Sequence, residues 1–106
     1  IVFIPSINDI HQDHKTIAEE GLRAFKFCTL LSYEMPWNNI TFTTSNFYIL
    51  NEENIKMKVE ALKQYQSQAH RPYASENFIK SLATTRGVQI GTKYAETFEV
   101  LRYIVK

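Results

Sequence analysis

The sequence predicts an α/β fold built on a mixed β-sheet. Short runs of β-branched and aromatic residues alternate with longer segments of helical periodicity. The first strand, helix and second strand also follow one another as in a parallel βαβ unit. The predicted order along the 106 residues is β-α-β-β-α-α-β, and at this length one domain with one hydrophobic core is expected.

The opening elements are predicted from their apolar patterns. Ile1 to Ile4 is a continuous apolar run that stops at Pro5, which is typical of a strand buried on both faces. A helix capped by Asp13 follows, with Ile17 and Gly21 on its apolar stripe. Because a buried strand with no initiator Met is an unusual way to begin a protein, we expect further residues to precede it.

The later elements are predicted from their own local signals. Residues 29–33 and 46–50 are rich in β-branched and aromatic side chains, which favours strands. The other predictions are a helix from Asn51 to about Gln68, a helix from Ser75 to a left-handed C-cap at Gly87, and a closing strand over 97–105.

Composition narrows the classes of function. Twelve Lys and Arg against eleven Asp and Glu give a net charge of +1 without a basic block, so a nucleic-acid partner is not indicated. There is no glycine-rich phosphate loop, no apolar run long enough to span a bilayer and no signal-like start. Cys28 is the single cysteine. We therefore expect a cytoplasmic protein without stable membrane insertion.

The segment Asp9-Ile10-His11-Gln12-Asp13-His14 carries the candidate chemistry. It follows the opening strand at the start of a helix, and sites in open α/β sheets are built at the carboxyl ends of strands. Imidazole is a common zinc ligand, and a carboxylate on its other nitrogen orients the ring. Such clusters also occur as helix caps, and a zinc site needs more ligands than this segment alone supplies.

The run from Pro5 to His14 resembles the second motif of the PIG-L/LmbE zinc-dependent N-acetylsugar deacetylases, Ser-x-x-Asp-x-His-x-Asp-His after a strand. Further blocks resemble the family in the same order: Tyr33-Glu34, Lys58-Val59-Glu60-Ala61-Leu62, Ser67-Gln68, Arg86-Gly87 and Tyr94-Ala95-Glu96-Thr97-Phe98.

The resemblance implies a three-layer Rossmann-like fold, of which this chain is the C-terminal portion with a partial mixed sheet. It implies that His14 is a Zn²⁺ ligand, that His11 stabilises the tetrahedral intermediate and assists proton transfer, and that Asp13 orients and tunes His11. The implied reaction removes an N-acetyl group from an N-acetylglucosamine-type sugar or glycolipid precursor.

The family's first motif, Ala-His-Pro-Asp-Asp-Glu, is absent from these residues. In the family it supplies the other His and Asp zinc ligands and the general base. We therefore expect the chain alone to be inactive and to hold zinc weakly. An incomplete sheet with an exposed edge also favours association with the missing half or with another chain, such as a homo-oligomer.

Several residues have a structural interpretation that competes with a functional one. Trp37 lies in a long loop and either covers the core or stacks on a sugar face. His70 and Arg71 are explained as polar loop residues, and Arg86, Tyr94 and Glu96 as anchors of the closing strand. Two other functions stay open: a noncatalytic binding or assembly module whose His/Asp cluster caps a helix, and a metal-dependent phosphate-ester hydrolase.

Overall fold

The structure is a computed structural model that describes residues 1–65 and 70–106. It contains strands β1 (Val2–Pro5), β2 (Leu30–Tyr33), β3 (Asn46–Leu50) and β4 (Tyr94–Arg102). Its α-helices are α1 (Gln12–Ala24), α2 (Glu52–Lys63) and α3 (Glu76–Ile90), and a short 3-10 turn, Pro72–Ala74, precedes α3. This order confirms the predicted α/β class and the predicted sequence of elements.

The strands form one four-stranded mixed sheet in the order β1-β2-β4-β3. β1 and β2 run parallel, with Val2 opposite Leu30 and Pro5 opposite Tyr33, which confirms the predicted βαβ unit. β4 runs antiparallel to β2, and the register shifts between Leu30 and Leu31. The parallel pairing brings the ends of β1 and β2 to the same edge of the sheet.

Residues 1–46 and 97–106 form one compact unit. In this unit α1 packs on β1, and Gly21 allows a close approach because a Cβ there would lie 3.1 Å from Cγ2 of Ile4. Ile4, Ala18 and the two leucines of β2 are buried. Ile17, predicted on the buried stripe of α1, is instead 53% exposed, since Ala18 and Gly21 face the sheet.

Residues 47–96 form the second compact unit. Its hydrophobic core joins α2, α3 and the start of β4, and consists of Ile55, Val59, Ile79, Ala83 and Tyr94. α2 begins with a reciprocal capping box between Asn51 and Asn54, as the predicted helix start at Asn51 requires.

Three predicted helix boundaries change in the structure. The N-cap of α1 is His11 and not Asp13, because the His11 ring accepts the backbone N–H of Asp13. α3 continues through Gly87 to Ile90, and the left-handed cap is Gly91, with φ +76°. α2 ends at Lys63, earlier than predicted, and Gln68 lies outside the described residues.

β4 starts three residues before the predicted strand and ends at Arg102.

Within residues 1–65 and 70–106, no helix is both long enough and apolar enough to cross a membrane.

Candidate functional site

The histidine loop, residues 6–11, connects β1 to α1 and leads from the end of the strand to both candidate histidines. Asp9 lies at its centre with only 2% of its surface exposed. One carboxylate oxygen of Asp9, Oδ1, accepts the backbone N–H of His11 at 2.8 Å. This bond folds the loop back on itself and places the second oxygen, Oδ2, toward α1.

His14 is the third residue of α1 and meets that second oxygen. Its Nδ1 is 2.9 Å from Asp9 Oδ2, and its side chain is 26% exposed. An ionised carboxylate can only accept a hydrogen bond, so Nδ1 of His14 carries the proton. In the neutral ring the lone pair is then on Nε2, the arrangement in which a histidine can bind a metal ion with a carboxylate behind it.

His11 has the opposite arrangement. Its Nδ1 accepts the backbone N–H of Asp13 at 3.2 Å and so caps α1. The neutral ring therefore carries its proton on Nε2, where it can donate a hydrogen bond to an acceptor. The hydrogen bond between His11 and Asp13 runs through the backbone of Asp13, while the predicted orienting role of the Asp13 carboxylate stays a prediction.

The two imidazole rings stack on each other, with centroids 4.3 Å apart and planes inclined by 16°. His11 and His14 are thus neighbours at the first turn of α1. At Nε2, the neutral His11 ring has an N–H and the neutral His14 ring has a lone pair.

The fit to zinc is partial. His14 matches one nitrogen ligand with its carboxylate partner, but among residues 1–65 and 70–106 no group of three His, Cys, Asp or Glu side chains is arranged to hold a metal ion. In the described residues His14 could supply one nitrogen ligand here, and a complete zinc site would need further ligands from another segment.

A second loop lies against the histidine loop. The tryptophan loop, residues 34–45, connects β2 to β3, and its Asn39 forms an isolated antiparallel bridge with Asp9. The Ile10 N–H donates to the Asn38 carbonyl at 3.0 Å, and the Ile40 N–H donates to the Asn8 carbonyl at 3.2 Å. Trp37, 40% exposed, therefore lies in a loop held by backbone bonds to the histidine loop.

Two polar side chains beside Asp9 were not singled out as site residues from the sequence. Burial raises the pKa of the Tyr33 phenol, and the nearby Asp9 charge raises it further, which keeps Tyr33 a neutral donor. Asn39 accepts the Met35 N–H through Oδ1 at 2.8 Å, whereas its Nδ2 is buried without a partner in the described part of the chain. Tyr33 comes close to Asp9 because β2 pairs with β1, and Asn39 does so because the two loops pair.

Of the other residues of the resemblance, Glu34, Thr97 and Phe98 lie in the first unit, and the rest lie in the second unit or outside the described residues. Glu96 forms an ion pair with Lys58 at 3.4 Å, which links β4 to α2, and Tyr94 is part of the core. Arg86 donates to Gln89 at 3.0 Å within α3. The contacts of Glu96 and Tyr94 connect β4 to the helices, as the structural interpretation expects, whereas the Arg86 bond to Gln89 stays within α3. Ser67 and Gln68 lie outside the described residues.

A surface depression lies at the other end of β1. It is lined by Ile1, Phe27, Cys28, Thr29, Ile104 and Lys106, and it contains neither histidine of α1.

Comparison with protein-family models, with curated proteins and with solved structures finds no match for this chain.

Proposed function

We propose that this chain supplies one part of the active site of a zinc-dependent hydrolase that removes N-acetyl groups from N-acetylglucosamine-type sugars or glycolipid precursors. The observation that supports this most is the Asp9–His14 pair, which leaves the Nε2 lone pair of His14 available to a metal ion. The resemblance to PIG-L/LmbE deacetylases supplies the substrate class, the three-layer Rossmann-like fold and the remaining ligands, in the Ala-His-Pro-Asp-Asp-Glu segment.

In this proposal His14 holds Zn²⁺ together with ligands from that other segment. When bound, zinc polarises the acetamide carbonyl and makes the hydrolytic water more acidic. Asp9 keeps the proton of His14 on Nδ1 and so keeps Nε2 free to bind. The carboxylate also lies behind the imidazole and increases its basicity as a ligand.

The role of His11 is hydrogen-bond donation from Nε2. Because its Nδ1 accepts the Asp13 N–H, the neutral ring presents Nε2–H, which can stabilise an oxyanion as it develops on the acetamide carbonyl. Donation of the Nε2 proton to the leaving amine would also require a proton on Nδ1, since a neutral ring would otherwise become an imidazolate, and the capping bond would then be lost. The capping bond favours the neutral donor, and Asp13 keeps the proposed role of tuning this ring.

The proposal is tested on the longer protein that carries both motifs, with zinc content and acetate release from N-acetylglucosamine conjugates as the readouts. We expect His14→Ala to lose bound zinc and His11→Ala to keep zinc while turnover falls roughly 10²- to 10⁴-fold. His70→Ala is the matched control, since His70 is the chain's third histidine and lies outside the histidine loop. It should retain both zinc and turnover.

A second candidate is a noncatalytic binding or assembly module, and the capping role of His11 favours it. In that case Nδ1 of His11 serves only the helix start, and Asp9 serves only the fold of the loop. A wild-type protein that carries no zinc and releases no acetate would lead us to this second function. A protein that binds metal and hydrolyses phosphate esters instead would assign the site to another class of hydrolase.

A further inference from the structure

Glu99 is a buried carboxylate in β4 that the proposed chemistry does not use. Only 8% of its surface is exposed, and each of its oxygens accepts a hydrogen bond from a different loop. Oε1 accepts the hydroxyl of Ser6, in the histidine loop, at 2.7 Å. Oε2 accepts the backbone N–H of Thr43, in the tryptophan loop, at 3.0 Å.

The contacts between the two loops close this arrangement into a ring of hydrogen bonds. The Ser6 hydroxyl oxygen accepts the Asn8 N–H at 3.1 Å, and the Asn8 carbonyl accepts the Ile40 N–H at 3.2 Å. From Ile40 the path follows the backbone of the tryptophan loop to Thr43, whose N–H donates to Glu99. Asp9 and its bridge to Asn39 lie on the same stretch of paired loops.

We propose that Glu99 is a positioning residue that holds the histidine loop and the tryptophan loop in one register. Its functional meaning rests on the proposed function, because the histidine loop carries Asp9 and leads to His11 and His14. The same bonds fix the loop that contains Trp37. Glu99 acts through the Ser6 hydroxyl and through the backbone of the two loops.

The chemistry of the side chain explains why a carboxylate is suited to this position. In the structure both groups donate to Glu99, and an ionised carboxylate accepts both in strong, charge-assisted bonds. A glutamine has the same shape but one acceptor and one donor group. Its oxygen can accept the Thr43 N–H, but its amide can pair with Ser6 only if the hydroxyl turns its own proton elsewhere, so both bonds become neutral and weaker.

The test is amide hydrogen exchange by NMR on the chain itself, without metal or substrate, for wild type and Glu99→Gln. We expect the Thr43 amide and also the Ile40 and Ile10 amides, which do not touch Glu99, to exchange roughly tenfold faster or more. Amides of α2 and α3 should keep their wild-type rates. Glu20→Gln, which removes the same charge from an exposed pair with Arg23, is the matched control and should change none of these rates.

Ser6→Ala is the second variant and decides the matter if Glu99→Gln does not fold. It leaves the carboxylate and the Thr43 bond in place but removes the link to Asn8, so the Ile40 and Ile10 amides should again exchange faster. Trp37, the only tryptophan, reports the same loop, and both variants should show increased quenching of its fluorescence by acrylamide.

Two results would overturn the inference. If only the Thr43 amide responds to Glu99→Gln, Glu99 makes a local bond and does not hold the loops together. If the amides of every strand and helix respond equally, Glu99 contributes to global stability alone. Since acetate release is not measured here, failure of the deacetylase proposal would leave this result unaffected, and the reverse also holds.

Discussion

At the residue scale, the proton position on each histidine ring depends on the partner of its Nδ1. His14 donates from Nδ1 to Asp9, whereas His11 accepts at Nδ1 from a backbone N–H. Two histidines three residues apart on one helix turn therefore present different chemistry at Nε2, a lone pair in one case and an N–H in the other. This difference supports distinct roles for them in the proposed reaction.

Asp9→Asn tests the orientation of His14. If the asparagine oxygen keeps the His11 N–H, its amide group faces Nδ1 of His14 and favours the ring with its proton on Nε2, which cannot bind zinc without rearranging. We expect zinc affinity of the longer protein to fall roughly 10- to 100-fold. Competition with a chelator measures this, and the ¹⁵N shifts of the His14 ring in the chain itself report the tautomer.

Glu19→Gln, an exposed change of the same charge in α1, is the control for Asp9→Asn. Unchanged zinc affinity and an unchanged tautomer in Asp9→Asn would mean that Asp9 does not orient His14.

The candidate histidines could be predicted from the sequence, but their hydrogen-bond partners could not. The spacing of His11 and His14 after a strand indicated a site, and both lie together in the structure. The resemblance implies that Asp13 is the carboxylate partner of His11, which stays a prediction, whereas the carboxylate that contacts the His14 ring is that of Asp9. Glu99 lies 93 residues from Ser6, so no local pattern could connect them.

At the scale of single elements, glycine positions show how packing overrides local preference. Gly87 lies inside α3, where the predicted cap was wrong, and a Cβ there would lie 2.6 Å from the Thr92 carbonyl oxygen and 2.7 Å from that of Lys93. The glycine thus permits the chain to fold back closely against α3 after the real cap at Gly91. From the sequence alone, Gly87 could serve as a left-handed cap or permit close packing, and the pattern does not distinguish the two.

We expect Gly87→Ala to lower the free energy of unfolding by about 1–3 kcal/mol, since the obstructing atoms are backbone and the strain exceeds the gain in helix propensity. Gly21→Ala in α1 is the matched comparison. Its Cβ would meet the Cγ2 methyl of Ile4 at 3.1 Å, a milder overlap than the backbone contacts at Gly87, so its stability should stay within about 1 kcal/mol of wild type. Urea unfolding measures both, and equal effects would contradict the argument.

At the scale of the whole molecule, the site is assembled from segments that are far apart in the chain. Loops 6–11 and 34–45 meet because β1 and β2 are parallel neighbours, and β4 adds Glu99 from the other end of the sequence. In the proposed function, the described residues would supply one zinc ligand, His14. The proposed function therefore requires a further segment to complete the site.

This requirement predicts that the 106-residue chain, supplied with zinc, releases no acetate from N-acetylglucosamine conjugates, because one imidazole cannot replace a set of three protein ligands and a general base. The longer protein with the Ala-His-Pro-Asp-Asp-Glu segment should release it. Acetate assays on both proteins at equal concentration make the comparison. Turnover by the chain alone would show that its own residues suffice, and would overturn the predicted division of the site.

The sequence by itself determined the α/β class, the order of the elements and the position of the histidine segment after the first strand. These follow from local periodicity and from turn and cap residues, which act over a few positions. Only the tertiary structure decided which carboxylate meets which ring, which glycine ends α3 and which loops share Glu99. The physical reason is that hydrogen bonds and close packing depend on distances between atoms, and folding brings residues together regardless of their separation along the chain.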